Sequence, residues 1–421
     1  MILNIIGGGP GQLSAIMRSR KLGMKVLVTD INSEAPGCLA ADFFEKASTF
    51  DAQETEAALR RFQTRRGLSV GAVLVTGTDQ PVLTAAVVSK RLGIPYFLSP
   101  EQALWVTNKK AMKTRLSAAG IRVSPYTFVS EGFRADEISS LSFPVVVKPL
   151  DSQGQRGVYR LETAAEVADR FSEVAHFSRE SEILVEEYYE SDEVTLSGWV
   201  EAGRLYILTV TDRRRLDNLP GIGVCISHQY PSRHIERLPE IRRMTEEIVL
   251  TFGIKTGPVY FQYLIGEEGI IVNETACRLG GAYEDEFIPF ITGVDILDVM
   301  IKMSCGLDYD KGAMERIDSH LEGKVVSLQM FFCREGRIDS CLGMEEVRKL
   351  PGVTGGAFLL PGGTSVRNRL NSTQRSGYFI VCCSDKAEAD EVVRKAYSLL
   401  RINDENGQNM IRVYDKMFFG G

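Results

Sequence analysis

The chain has little cysteine, histidine or tryptophan: eight, four and two residues in 421. Cysteines so dilute exclude a disulfide scaffold. None are spaced as CxxC, and the adjacent Cys382 and Cys383 lie in an apolar stretch that predicts buried, inert thiols. The histidines form no metal-ligand pattern; His228 and His234 lie six apart in a Pro/Ser/Arg-rich stretch. No apolar run approaches the ~18 residues of a membrane span. The opening MILNIIGGGPGQ has no basic n-region and reads as a first strand, not a signal peptide. Excess positive charge is also missing. The net charge is −6, which argues against a nucleic-acid binder. What is present is the ordinary globular mixture, 44% hydrophobic and 25% charged. At ~100–200 residues per domain the length allows about two to four domains. These features predict a reduced cytoplasmic protein with neither a membrane nor a nucleic-acid partner.

The first hundred residues alternate strand and helix. Ile2–Ile6 runs into the glycine turn Gly7–Gly11; Leu13, Ile16, Met17 and Leu22 then recur at helical spacing. KVLVTD (25–30) and AVLVT (72–76) are further strands, then a helix over 82–92 and the strand-like IPYFL. This alternation predicts a parallel sheet with helices on its faces. Ser99, Pro100 and Gln102 form a capping-box helix start. Residues 108–119 continue as a helix and stop at Gly120. The pattern then changes to strands at 145–149, 157–161, 182–189, 194–200 and 204–211, an antiparallel α+β region. A helix is expected near 164–175 and a long one over 234–252, followed by the hairpin GPVYFQYLI/GIIVNE. Strands KVVSLQMFF, GAFLLP and GYFIVCC and a helix over 386–400 close the chain. The fold class is therefore α/β plus α+β. No repeat or flexible linker separates the parts, so they are expected to pack closely.

The turn Gly7-Gly8-Gly9-Pro10-Gly11-Gln12, with Asp30 ending the next strand, invites a dinucleotide reading. Gln12 stands where the third glycine is needed for close helix–strand packing. A tight turn in a nucleotide-like fold that binds no dinucleotide is the favoured reading.

Four separated segments carry chemistry when read together. In the first, Asn108-Lys109-Lys110-Ala111-Met112-Lys113, Lys109 and Lys113 share a helix face. In the second, Lys148 ends an apolar strand and the small, polar loop Ser152-Gln153-Gly154-Gln155-Arg156-Gly157 follows. Its glycines allow close backbone approach, and successive N–H groups cradle phosphate oxygens. In the third, Ile183-Leu184-Val185 exits into Glu186, Glu187, Tyr188, Tyr189 and Glu193. Strand-exit backbone groups suit the edge of a purine base, and a carboxylate further on suits ribose hydroxyls. In the fourth, Gln262 and Glu274 stand twelve apart on two arms of one hairpin, with Arg278, Gly280 and Gly281 beyond. A tight loop would set residue 261 opposite 274. One extra loop residue brings 262 opposite 274, so a five-residue loop is expected. Two oxygen donors on one face then make a hard-cation site completed by phosphates and water. Each segment alone has an ordinary reading: a solvated helix face, a loose hairpin, an acidic strand end, a core hairpin. Order and spacing distinguish the set.

Together these segments resemble the ATP-grasp superfamily over nearly the whole chain. The resemblance implies a nucleotide-like parallel-sheet N-terminal domain (1–100), a two-part grasp domain with antiparallel sheets (101–320, lid about 123–187) and a C-terminal extension (321–421). It implies ATP with Mg²⁺ or Mn²⁺. Lys109 and Lys148 look like the phosphate lysines; Ser152, Gly154, Gln155 and Gly157 belong to the phosphate-covering loop. Glu186, Glu187, Tyr188 and Tyr189 look like the adenine hinge, read partly by backbone, and Glu193 like the ribose carboxylate. Gln262 and Glu274 resemble the metal pair. Arg278, with Lys148, takes the catalytic place near the transferred phosphate. Two positions depart from the pattern. Gln262 stands where most members have glutamate, a glutamine there being similar to carbamoyl-phosphate synthase, and Ala276 stands where asparagine is common.

The implied activity is an ATP-dependent carboxylate–amine ligase forming an acyl phosphate. Its substrates would be a small carboxylate, such as an amino acid, and an amine; a homodimer is compatible with the resemblance. Carbamoyl-phosphate-synthase-like phosphorylation of bicarbonate or carbamate, and a non-catalytic nucleotide-binding regulator, are the alternatives. Arg213–Arg215 read as a substrate-carboxylate clamp or, slightly favoured, a solvated turn. Glu284–Glu286 read equally as an ammonium receptor or an acidic helix start.

Overall fold

The structure is a computed structural model that describes residues 1–218, 221–319, 323–367 and 371–420. The expected boundary at 320/321 lies outside the described residues.

Four parallel strands open the chain, in the spatial order Phe43–Lys46, Lys25–Asp30, Ile2–Ile6, Val70–Leu74. Short apolar runs make this sheet; helices Pro10–Lys21, Pro36–Ala40 and Ala52–Arg66 connect its strands, and Gln80–Leu92 follows the last. Asp51 caps Ala52–Arg66 by accepting from the Gln53 and Glu54 amides, and Gly67 ends it in the left-handed region at φ 64°. The short strand 43–46 was not legible in the sequence pattern. IPYFL is not a strand. The Ile94 amide donates to Ser89 O at 2.9 Å to close the preceding helix, and Pro95 has no donor for a ladder. The capping box at Ser99 and Gln102 is present on helix Pro100–Trp105. Asn108 caps Lys109–Ala118 by accepting from Ala111 N.

Beyond residue 125 the strands pair antiparallel, as expected, and Ser365–Val366, Gly336–Leu342 and Arg401–Asp404 form a small sheet of their own. Thirteen strands join one continuous sheet among the described residues. Its lid end comprises Tyr126–Ser130, Glu182–Glu187, Val145–Pro149 and Tyr159–Leu161, under helix Ala164–Ala175. Among the described residues the pairing of Gly221 with Tyr159 links this end to Gly221–Tyr230. The other end runs through Arg204–Asn218, Asp192–Glu201 and the hairpin Gly257–Gly266/Gly269–Ala276. Strand Val325–Cys333 pairs with Gly221–Tyr230 and with Gly377–Cys383, fusing the C-terminal part to the same sheet. Arg213–Arg215 lie inside strand Arg204–Asn218, which runs past the expected end at 211. They are not a solvated turn.

One apolar core spans the first two parts, taking Ile2, Leu27 and Val73 together with Phe252, Phe261 and Tyr263. The eight cysteines are all free, and all but the half-buried Cys341 are buried. No helix among the described residues is long and apolar enough to cross a membrane.

Candidate active site

A cleft of about 690 Å³ opens between the lid and the long-stranded half of the sheet. Lys109, Lys148, Ser152, Gly154, Gln155, the 186–189 segment and Glu193 line it, with Gln262 and Glu274 on the opposite wall. Sequence positions up to 165 residues apart thus meet at one place. Gly157 is the exception. A side chain there would strike Phe177 and touch Pro149, so it packs against the lid rather than facing the cleft.

The hairpin register is the expected one by a different route. Gln262 pairs with Glu274, but the loop is the tight one, with Gly266 opposite Gly269. The extra residue is Asn273, which bulges between the 262/274 and 263/272 pairs. A bulge bends a strand and re-aims its side chains. Here Asn273 Oδ1 accepts from Lys148 Nζ at 2.8 Å. The Lys109 ammonium donates to Ser152 O at 2.9 Å and lies 3.4 Å from Glu274 Oε1. Burial pulls the Glu274 carboxyl up, but Lys109, Lys148 and Arg213 outweigh it and hold it below the usual carboxylate range.

Glu186 does not present its side chain to a base. Its carboxylate is buried between two ammoniums, Lys113 at 2.5 Å and Lys148 at 2.7 Å. Burial would raise it; the two lysines bring it down to about 2. Glu187 accepts from the Ser142 amide at 2.7 Å. The Tyr188 ring stacks under Arg160 at 4.4 Å, and Tyr189 donates its hydroxyl to Gly269 O at 2.9 Å. Any base-reading by this segment therefore falls to its backbone and ring faces. Glu193 is not a free carboxylate either: Oε2 accepts from Arg213 at 2.8 Å within the buried wall.

The loop after Lys148 is left-handed at Gly154, Gln155 and Gly157, with φ of 72°, 58° and 71°. Such backbone is costly for Gln155. It persists because the loop is held from both sides. Gln153 Oε1 accepts from the Asp79 amide at 2.6 Å, and Gly154 O accepts from the Ser372 amide at 3.1 Å. The Ser372 hydroxyl also donates to Gln155 Oε1.

Arg278 lies in an adjoining cavity that shares Gln262 and Glu274. Its Nη2 is 2.5 Å from Asp79 Oδ1, and its guanidinium sits 4.6 Å from the Tyr260 ring centroid. Sequence reasoning missed Asp79, Asn273 and Ser372, whose spacing gives no signal. Glu284–Glu286 form an acidic helix start packed inward: Glu284 accepts from Ala282 N at 2.9 Å, and Glu286 from the Tyr378 hydroxyl at 2.6 Å. His234 pairs with Asp192 at 2.8 Å and His228 with Thr211 at 3.0 Å, which leaves no shared metal site between them.

Buried polar atoms without a hydrogen-bond partner within the protein gather at the cleft and the adjoining cavity, among them Ser152 Oγ, Glu193 Oε1, Arg278 Nε and Arg375 Nε. Buried polar atoms are normally satisfied, so orphans gathered at one place mark where a ligand's polar groups belong. No cluster of three or more His, Cys, Asp or Glu capable of holding a metal occurs among the described residues. Gln262 and Glu274 fit a magnesium ion that takes its other ligands from phosphate and water.

The turn at residues 7–11 is satisfied internally. Gly8 N donates to Asp30 Oδ2 at 2.8 Å, Gly8 O accepts from Gly37 N at 2.7 Å, and the Gln12 amide donates to Thr76 O at 2.7 Å. These groups are spent on the fold.

Comparison with known proteins agrees with this geometry. Residues 141–286 match the ATP-grasp domain family, and 329–405 match the L-amino acid ligase C-terminal domain 2. Residues 3–92 match the alanine dehydrogenase/PNT C-terminal domain. The chain thus carries an ATP-grasp domain followed by an L-amino acid ligase C-terminal domain. It is 23% identical over 340 residues to the L-arginine-specific L-amino acid ligase of Bacillus subtilis, covering 77% of this chain and 79% of that one. It is 22% identical over 313 residues to the uncharacterized protein y4rH of Sinorhizobium fredii, covering 70% of this chain but only 61% of that longer protein. The L-amino acid ligase from Bacillus licheniformis shares its fold, with a TM-score of 0.80 at 16% identity, covering 96% of this chain and 99% of that one. N5-carboxyaminoimidazole ribonucleotide synthetase from Thermotoga maritima does so at 0.71 and 19%, with the same coverage.

Proposed function

We propose that the protein is an ATP-dependent carboxylate–amine ligase that works through an acyl phosphate. The observation that carries this reading is the convergence of Lys109, Lys148, Gln262 and Glu274 on one cleft, with Arg278 in the cavity behind it. Lys109 and Lys148 hold β- and γ-phosphate oxygens, and the 152–155 backbone covers them. Glu193 Oε1, the buried orphan, accepts from a ribose hydroxyl. Gln262 and Glu274 hold Mg²⁺ or Mn²⁺, which when bound neutralises charge on the phosphates. The substrate carboxylate oxygen attacks the γ-phosphorus and ADP leaves. The amine nitrogen then attacks the acyl carbon, losing a proton, and inorganic phosphate departs. Arg278 stabilises the charge that builds on the transferring and tetrahedral oxygens, and closure of the loop keeps water from the acyl phosphate.

The test is ADP release by wild type and Glu274→Ala across panels of carboxylic acids and amines. The expected result is release that needs both an acid and an amine and that falls about 10²–10³-fold in the variant, the usual cost of one such contact. Full activity in Glu274→Ala refutes the metal assignment. Release driven by bicarbonate alone turns the reading toward carbamoyl-phosphate chemistry. Nucleotide binding without release on any panel leaves a binding protein.

A further inference from the structure

The cavity behind the cleft, its solvent-facing mouth included, spans about 570 Å³, and three arginines line it: Arg213, Arg278 and Arg375. Two are spent. Arg278 pairs with Asp79 at 2.5 Å and Arg213 with Glu193 at 2.8 Å. Arg375 has no carboxylate partner among the described residues. Its Nη1 donates to Gly281 O at 3.2 Å, its guanidinium lies 5.7 Å from the Tyr283 ring centroid, and its Nε is buried with no hydrogen-bond partner. The lining acids are already committed, Asp79 to Arg278, and Glu274 to Lys109 and, on the ligase reading, to the metal. His228, on the same wall, stays uncharged because burial, then Arg213 and Arg375, push its pKa far down. The cavity thus holds one arginine without a carboxylate partner and no carboxylate without a cationic one.

We propose that the acid substrate is a dicarboxylate: one carboxylate reacts beside Glu274 and Arg278, and Arg375 grips the other. This rests on the ligase reading above. A guanidinium fork matches a carboxylate in two parallel hydrogen bonds, and the unpartnered Nε supplies one of them. A neutral amino acid would bring its ammonium to a wall with no free carboxylate and leave Arg375 unpaired, a double penalty.

The experiment measures kcat and KM for ADP release with neutral α-amino acids, dicarboxylic acids and phosphorylated acids of matched length. Wild type, Arg375→Ala and Arg375→Lys are compared, with melting temperatures checking that each variant folds. The expected wild-type result is a preference for dicarboxylates. Arg375→Ala should abolish it by raising the dicarboxylate KM about 10- to 100-fold with kcat little changed, and Arg375→Lys should restore part of it. A wild type that prefers neutral or phosphorylated acids overturns the inference and leaves the ligase reading standing. So does an Arg375→Ala that weakens every acid equally. No release with any acid overturns both.

Discussion

Replacing Glu186 by glutamine removes one negative charge from between two buried ammoniums and leaves the shape nearly unchanged. The fall of the carboxyl from 4.5 to about 2 is worth about 3 kcal/mol to the folded state. Orphaning Lys113 and Lys148 by losing their shared partner costs on the order of 3–5 kcal/mol, the usual range for a broken buried pair. Glu186→Gln should therefore destabilise the lid by about 3–5 kcal/mol at pH 7. Because the folded-state pKa is depressed, the wild-type contribution is complete above the unfolded value of 4.5. It is lost as the pH falls toward 2, with roughly 1 kcal/mol already gone at pH 4. Urea unfolding of wild type and variant at pH 7 and pH 4 measures both the gap and its narrowing. ATP-over-GTP preference, read in parallel, should not move. A gap under about 1 kcal/mol that does not narrow at pH 4 would refute the charge-sandwich account. So would a stable variant that loses base preference.

Glu284 behaves oppositely: burial pushes it up to about 7 from 4.5. Stability linked to it is full below 4.5 and lost as the pH rises through 7, about 3 kcal/mol at most. Glu284→Gln should thus melt higher than wild type at pH 8 and not at pH 5; equal differences at both would sink this. Mg·ADP should raise the melting temperature while NAD(H) and NADP(H) do not, because the amide and carbonyl of Gly8 and the Asp30 carboxylate are already bonded to the fold. A thermal-shift scan decides it, and stabilisation by a dinucleotide would reopen the other reading.

Local pattern made much of the site legible. Lys148 at the end of VVVK, the glycine-bearing loop, and Gln262 and Glu274 on facing arms are all short-range facts of period and composition. The partners were not legible. Glu186 looked like an exposed strand end because its lysines come from another helix and another strand. Glu193 looked free because Arg213 is on a neighbouring strand. The hairpin shows the limit most sharply. Alternation required one extra residue, and nothing in GIIVNET says that it is absorbed at Asn273 rather than in the turn. Strand fusion across the whole sheet was hidden for the same reason: pairing between Gly221–Tyr230 and Val325–Cys333 is decided about a hundred residues apart.

The loop that follows Lys148 is a keystone wedged between abutments it does not own. One is Asp79, before the grasp region begins; the other is Ser372, near the end of the chain. A fragment cut to residues 101–320 would keep the phosphate-facing lysines and the metal pair yet lose both supports. Its left-handed Gly154-Gln155 bend would then have nothing to hold it. Shielding of the reaction centre is a property of the assembled chain, and trimming either terminus should leak water into it.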